Sequence, residues 1–78
     1  MIVIRLREMM DAYEARTGQR VTYASLAAAT GLSRPTLESM ATRPGYNASL
    51  ATIERICMAL HCTPGDLLAL SAESKGEP

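Results

Sequence analysis

Residues 22 to 41 read TYASLAAATGLSRPTLESMA, two short helix-like runs around a single glycine. Thr22 stands where an N-cap belongs, ahead of a run whose inward residues are Leu26, Ala27 and Thr30 and which ends at Gly31. Ser33 caps the second run. Pro35 falls in that run's first turn, where a missing N–H costs nothing, and Leu37 and Met40 supply the inward face. Two helices joined by so short a turn cross steeply only if a small residue sits at their closest approach, and Ala27 is that residue. Gly31, four positions on, supplies the positive φ that a sharp turn requires. Leu26, Leu32, Leu37 and Met40 then close a small core beneath the turn. Arg34, Thr36 and Ser39 remain outward on the second helix, with Ser33 and Pro35 at its start.

Outward from this stretch the pattern stays helical. Leu6, Met9, Met10 and Tyr13 recur at helical spacing from Arg5 to about Arg16, and Thr17 with Gly18 ends the run. After the third helix, Arg43, Pro44 and Gly45 break the periodicity. Ser49 caps a fourth helix with Leu50, Ile53, Ile56, Cys57 and Leu60 inward. Thr63, Pro64 and Asp66 have the spacing of an N-cap, a first-turn proline and an N3 acid, which starts a short fifth helix through Leu67, Leu68 and Leu70. Met1 to Ile4 is β-branched and reads as a short extended arm or a frayed helix start. No sheet is expected. The expectation is an all-α, five-helix domain over residues 1–70, orthogonal because no helix is long enough to span two neighbours, with a polar, disordered tail at 71–78.

At 78 residues the chain is near the lower limit for folding by hydrophobic burial alone. With no Phe or Trp and three Tyr, its core falls to Leu, Ile, Met and Ala. Two cysteines and no cleavable signal pattern point to a reducing, cytoplasmic setting, and the apolar start is far too short for a membrane segment. Eight basic and eight acidic residues cancel, but their distribution is uneven. Between Arg16 and Asn47 lie four arginines, Arg16, Arg20, Arg34 and Arg43, against Glu38 alone, a local +3. The positive field centres on the opening stretch.

The pattern AxxxGLSxxTLxxM, followed by SLxTIxxICxALxCxPGDLL, resembles the small Cro/C1-type (XRE-like) helix-turn-helix regulators, with a lambda-repressor-like fold. The resemblance runs from about Leu6 to Leu70, and its second half is the more distinctive. It implies a DNA-binding transcriptional regulator, a repressor, of prokaryotic or phage type. The helix Ser33 to Arg43 would lie in the major groove and bring Arg34, Pro35, Thr36 and Ser39 to base edges. Arg34 is the sharpest candidate, because a guanidinium takes guanine O6 and N7 together. Phosphate contacts would come from helix starts and the following loop, from Tyr23, Ser33, Arg43, Tyr46, Asn47 and Ser49. The implied partner is double-stranded DNA bound by a homodimer, with Met1 to Ile4 pairing across its two-fold. No membrane, cofactor or small-molecule effector is implied.

Other readings of the same residues stand beside these. Tyr23 packs against the first helix as readily as it binds phosphate, and it replaces the Gln or Lys that many relatives carry there. Arg43 and Tyr46 can pack within the loop. Glu38, an acid on the reading helix, either bonds within the domain or tunes the surface. With Ala28, Ala29 and Ala41 at outward or marginal sites, the surface is sparse in donors, so specificity would lean on DNA shape, on the arm or on a second subunit. The same fold could instead serve as a protein-interaction module or antitoxin. Cys57, His61 and Cys62 lack a fourth ligand and read as a structural thiol pair rather than a zinc set. No Ser/His/Asp or paired-carboxylate arrangement is readable, so the chain is read as no enzyme.

Overall fold

A computed structural model describes residues 1–71; the expected tail at 71–78 therefore lies, beyond Ser71, outside the described residues. The elements run β1 (Ile2–Ile4), α1 (Leu6–Thr17), α2 (Tyr23–Thr30), α3 (Arg34–Thr42), α4 (Leu50–Leu60), α5 (Pro64–Leu67) and β2 (Leu68–Leu70). Five helices pack around one core, and their starts follow the caps legible in the chain. Thr22, Ser33, Ser49 and Thr63 each accept a hydrogen bond from the backbone N–H three residues on. At Thr22 and Thr63 the bond is reciprocated, by the Ser25 hydroxyl and the Asp66 carboxylate accepting from the cap residue's N–H. Hydrogen bonding to its carboxylate from the Thr63 backbone N–H, and next from the Thr63 side chain, holds the Asp66 carboxyl below its ordinary value of 3.8.

The core is Leu6, Met10, Val21, Leu26, Leu37, Met40, Ile53, Ile56, Cys57, Leu60 and Leu67. Val21 was not among the expected core positions. It is drawn in because Glu14 accepts its N–H at 2.7 Å, which folds the α1–α2 connection onto α1. Arg16 stays exposed, but its side chain ties the end of α1 to the end of α4. Its guanidinium donates to the Leu60 carbonyl at 3.0 Å and lies over the Tyr13 ring, so it satisfies one of the open carbonyls at the end of α4. His61 adopts a left-handed φ of 52° there, and the Cys62 N–H returns to the Cys57 carbonyl at 3.0 Å. That turn brings the two thiols together. Burial, with the neighbouring Cys57, pushes the Cys62 thiol up to about 11, so it stays protonated at neutral pH.

Three expectations need correction. First, the chain contains a sheet: β1 and β2 pair antiparallel, with Ile2 opposite Leu70, Val3 opposite Ala69 and Ile4 opposite Leu68. The fifth helix stops at Leu67 because Leu68 turns extended, at φ −105° and ψ 144°, once its N–H has closed onto the Pro64 carbonyl. The β-branched start then gives the following residues a strand to pair with, tied at its ends by Arg5 N–H to Leu67 and Ser71 N–H to Met1. Second, Met1 to Ile4 is consequently not a free arm; it is held within its own chain on one edge. Third, Leu50, expected inward, faces solvent at 85% exposure, and Leu70, expected in the fifth helix, is 78% exposed in β2. Leu50 is the first residue of α4, and since side chains tilt toward a helix's N-terminus it projects past the end of the core. Leu70 shares the sheet face of Leu68, but lies two pairs further out, beyond the core.

Candidate nucleic-acid interface

Three short hydrogen bonds fix the α2–α3 turn. The Thr30 hydroxyl, nearly fully buried, donates to the Leu26 carbonyl at 2.8 Å and accepts from the Leu32 N–H at 3.2 Å. Gly31, at φ 78°, returns its N–H to the Ala27 carbonyl at 2.9 Å. Ala27 is partly buried against the core, as its small size at the crossing requires, and Leu37 and Met40 are fully buried beneath the turn. The structure therefore holds α3 by one face and leaves the rest of it outward.

Of the residues expected at base edges, Arg34 and Pro35 are exposed, while Thr36 and Ser39 are partly buried. The Thr36 hydroxyl lies 2.7 Å from that of Ser33, so both hydroxyls are engaged in starting the helix. Arg34 is paired. Its Nε lies 3.2 Å from Glu38 Oε2, one turn along, with both side chains well exposed. Counting 100° per residue from the buried Leu37 and Met40, the side of α3 opposite the core carries Pro35, Glu38, Ser39 and Thr42, with Arg34 at its margin. Glu38 and Thr42 thus share the outward face, although the sequence reading did not place them among base-edge residues. Their signal was available in the helical spacing alone.

The expected phosphate residues fall into two groups. Arg43, Asn47 and Ser49 are exposed and Tyr46 is partly buried, all in or next to the α3–α4 connection, which Tyr46 N–H to Arg43 carbonyl (3.2 Å) and Gly45 at φ 75° shape into a tight turn. A Cβ on Gly45 would meet the Met1 sulfur at 3.4 Å, so the start of the chain packs over this loop. Ser49 spends its hydroxyl on Thr52, through N–H and side chain. Tyr23 is the second group. It packs against the core and under the Arg7 guanidinium, 5.8 Å from its ring centre, and lines a cleft of about 420 Å³ that also brings Arg7, Arg20 and Arg34 to one side. Glu14 shares that cleft, but its carboxylate is committed to the Val21 N–H. Sequence reading missed Arg7 here, because only the fold brings its side chain from α1 over Tyr23 at the start of α2.

Residues 5–73 match the family described as the Cro/C1-type HTH DNA-binding domain. The chain belongs to the Cro/C1-type family. Among curated proteins, none matches it. Membership makes the domain a DNA-binding, helix-turn-helix unit of the regulator class, in which α2 and α3 are the two helices of the motif. No helix among the described residues is long and apolar enough to cross a membrane. In this Cro/C1-type domain Arg34 stands between two charge environments: it lines the cleft at the start of α2 with Arg7 and Arg20, and it is bonded to Glu38 on α3.

Proposed function

We propose that this protein is a sequence-specific DNA-binding transcriptional regulator, a repressor, that inserts α3 into the major groove. The observation that carries the reading is α3 itself, anchored by Leu37 and Met40 on one face and presenting Pro35 and Thr42 exposed on the other, with Arg34 exposed at its margin. Arg34 is the base reader, with its two terminal nitrogens offered to guanine O6 and N7. Pro35 and Thr36 lie against neighbouring base edges or a thymine methyl, and Ser39 reaches an edge only where the helix sits deep in the groove.

Arg43, Tyr46 and Asn47 hold the backbone beyond α3, and the backbone N–H groups at the starts of α2, α3 and α4, beside Tyr23, Ser33 and Ser49, hold it on the other side. Three to five neutralised phosphates per subunit give a salt slope of roughly −3 to −5. A single such domain buries little DNA, so two copies act on a two-fold related site in the cytoplasm. Because β1 is already paired to β2, a strand contact between copies would use an outer edge of that sheet rather than a free arm. Sedimentation equilibrium with and without duplex reads this: a mass that stays monomeric on a two-fold site removes the dimer.

One observation favours a second reading, a protein-interaction module or antitoxin: the Arg34–Glu38 pair leaves the outward face of α3 close to neutral. Selection from a random duplex pool with wild type, Arg34→Ala and Arg43→Ala separates the two. The DNA reading predicts that Arg34→Ala relaxes preference at one base position while Arg43→Ala weakens all sequences alike. A wild type that selects no sequence and whose binding is flat in salt supports the interaction module instead.

A further inference from the structure

Glu38 stands on the Arg34 side of the face that the proposed function sends into the major groove. A carboxylate there works against affinity, since it brings a negative charge towards phosphates. Its partner does not explain it as a helix-stabilising pair either. In an i,i+4 pair the favourable order places the acid nearer the N-terminus, and a cation in the first turn opposes the helix dipole. Here Arg34 is the first residue of α3 and Glu38 follows it, so the order is reversed.

The arrangement does accomplish something on the guanidinium. The contact is made through Nε, at 3.2 Å from Glu38 Oε2. The group is planar with five N–H donors in a fixed fork, so a bond at Nε fixes its plane and leaves the two terminal nitrogens as a pair. That end-on pair is what matches guanine O6 and N7. The neighbouring carboxylate also repels phosphate oxygens from the same spot, which keeps the arginine from settling on the backbone.

We propose that Glu38 is a positioning residue for base recognition, holding Arg34 by its Nε so that its terminal nitrogens face a guanine, and lowering binding to non-cognate DNA by its charge. The proposal rests on the reading of α3 as the groove helix. It assigns Glu38 a cost in affinity and a gain in discrimination, two effects of opposite sign that a merely structural residue would not produce.

The test uses the full chain and three duplexes: the sequence selected by the wild type from a random pool, that sequence with the Arg34-dependent guanine replaced by 7-deazaguanine, and a scrambled duplex. Loss of N7 should weaken wild-type binding about tenfold. In Glu38→Ala that penalty should shrink to about twofold, while affinity for the scrambled duplex rises about two- to fivefold as a repulsive charge is removed. Glu38→Gln keeps an acceptor for Nε without the charge, and should retain most of the 7-deazaguanine penalty yet still bind the scrambled duplex more tightly. Thermal melting should place both variants within a few degrees of wild type, since the pair is exposed. The proposal is overturned if Glu38→Ala keeps the full penalty, or if it weakens all three duplexes by one factor. A wild type that selects no sequence removes the groove-helix reading itself, and with it the role given to Glu38.

Discussion

The α2–α3 pair and the β1–β2 sheet are built by opposite means. Everything that shapes the helix pair lies within twenty residues of sequence: two caps, a glycine with φ 78°, a buried threonine that bonds both sides of the turn, and leucines at helical spacing. The sheet joins Ile2–Ile4 to Leu68–Leu70, from opposite ends of the described chain. Neither strand announces its partner. LLAL continues a helical pattern as readily as it forms a strand, and three β-branched residues alone read as an arm. The helix pair carries the candidate DNA surface, and the sheet closes the core behind it. Local signals thus shape the helix pair, whereas the sheet exists only through non-local pairing.

Removing a core leucine from the helix pair should have the largest effect. Leu37→Ala is expected to cost about 3 kcal/mol, a large share of a small domain's stability, because Leu37 is fully buried between α3 and the core. Chemical denaturation reads it, and a loss below 1 kcal/mol would mean that the turn does not organise the core. Gly31→Ala probes the turn itself and should cost about 1–2 kcal/mol, since φ is 78° and only Arg55 lies near the added methyl, at 3.9 Å. On the other side of the comparison, Ile4→Ala thins the sheet where it is partly buried against the core, and should cost about 1 kcal/mol with DNA affinity unchanged. A fall in affinity there would show that the sheet takes part in binding. Arg16→Ala, which opens the Leu60 carbonyl, should cost about 1 kcal/mol in the same denaturation experiment.

The smallest effect is a pH dependence. The Asp66 carboxyl is held low by its bonds to Thr63, so the stability it brings is present above its ordinary value of 3.8 and is lost as pH falls through its lower folded value. Asp66→Asn should flatten the acid end of a melting-temperature profile and leave the neutral region nearly unchanged. A variant that retains the wild-type acid slope would place that slope on other carboxylates.

Helix starts were legible because caps are local chemistry: Thr22, Ser33, Ser49 and Thr63 all cap as the sequence implies. Leu50 was misread because periodicity says which face a residue occupies, not whether a core reaches that far along the helix. The burial of Val21 and the bond of Arg16 were not legible because they depend on Glu14 and Leu60, partners that no spacing rule brings together. For the candidate site, Arg34 and the α3–α4 loop were readable from the motif, while the gathering of Arg7 and Arg20 beside Tyr23 needed the folded path of the α1–α2 connection.

On the proposed function, DNA meets the helix pair and the loop after it, and not the outer face of the sheet. A titration of the isotope-labelled chain with its selected duplex, followed by amide chemical shifts, tests this directly. The account predicts that the largest changes fall at Thr22 and Tyr23, across Ser33 to Thr42, and from Arg43 to Ser49, with Met58 and Leu70 unmoved. Changes centred on Met58, Ile2 and Leu70, with Ser33 to Thr42 silent, would contradict it.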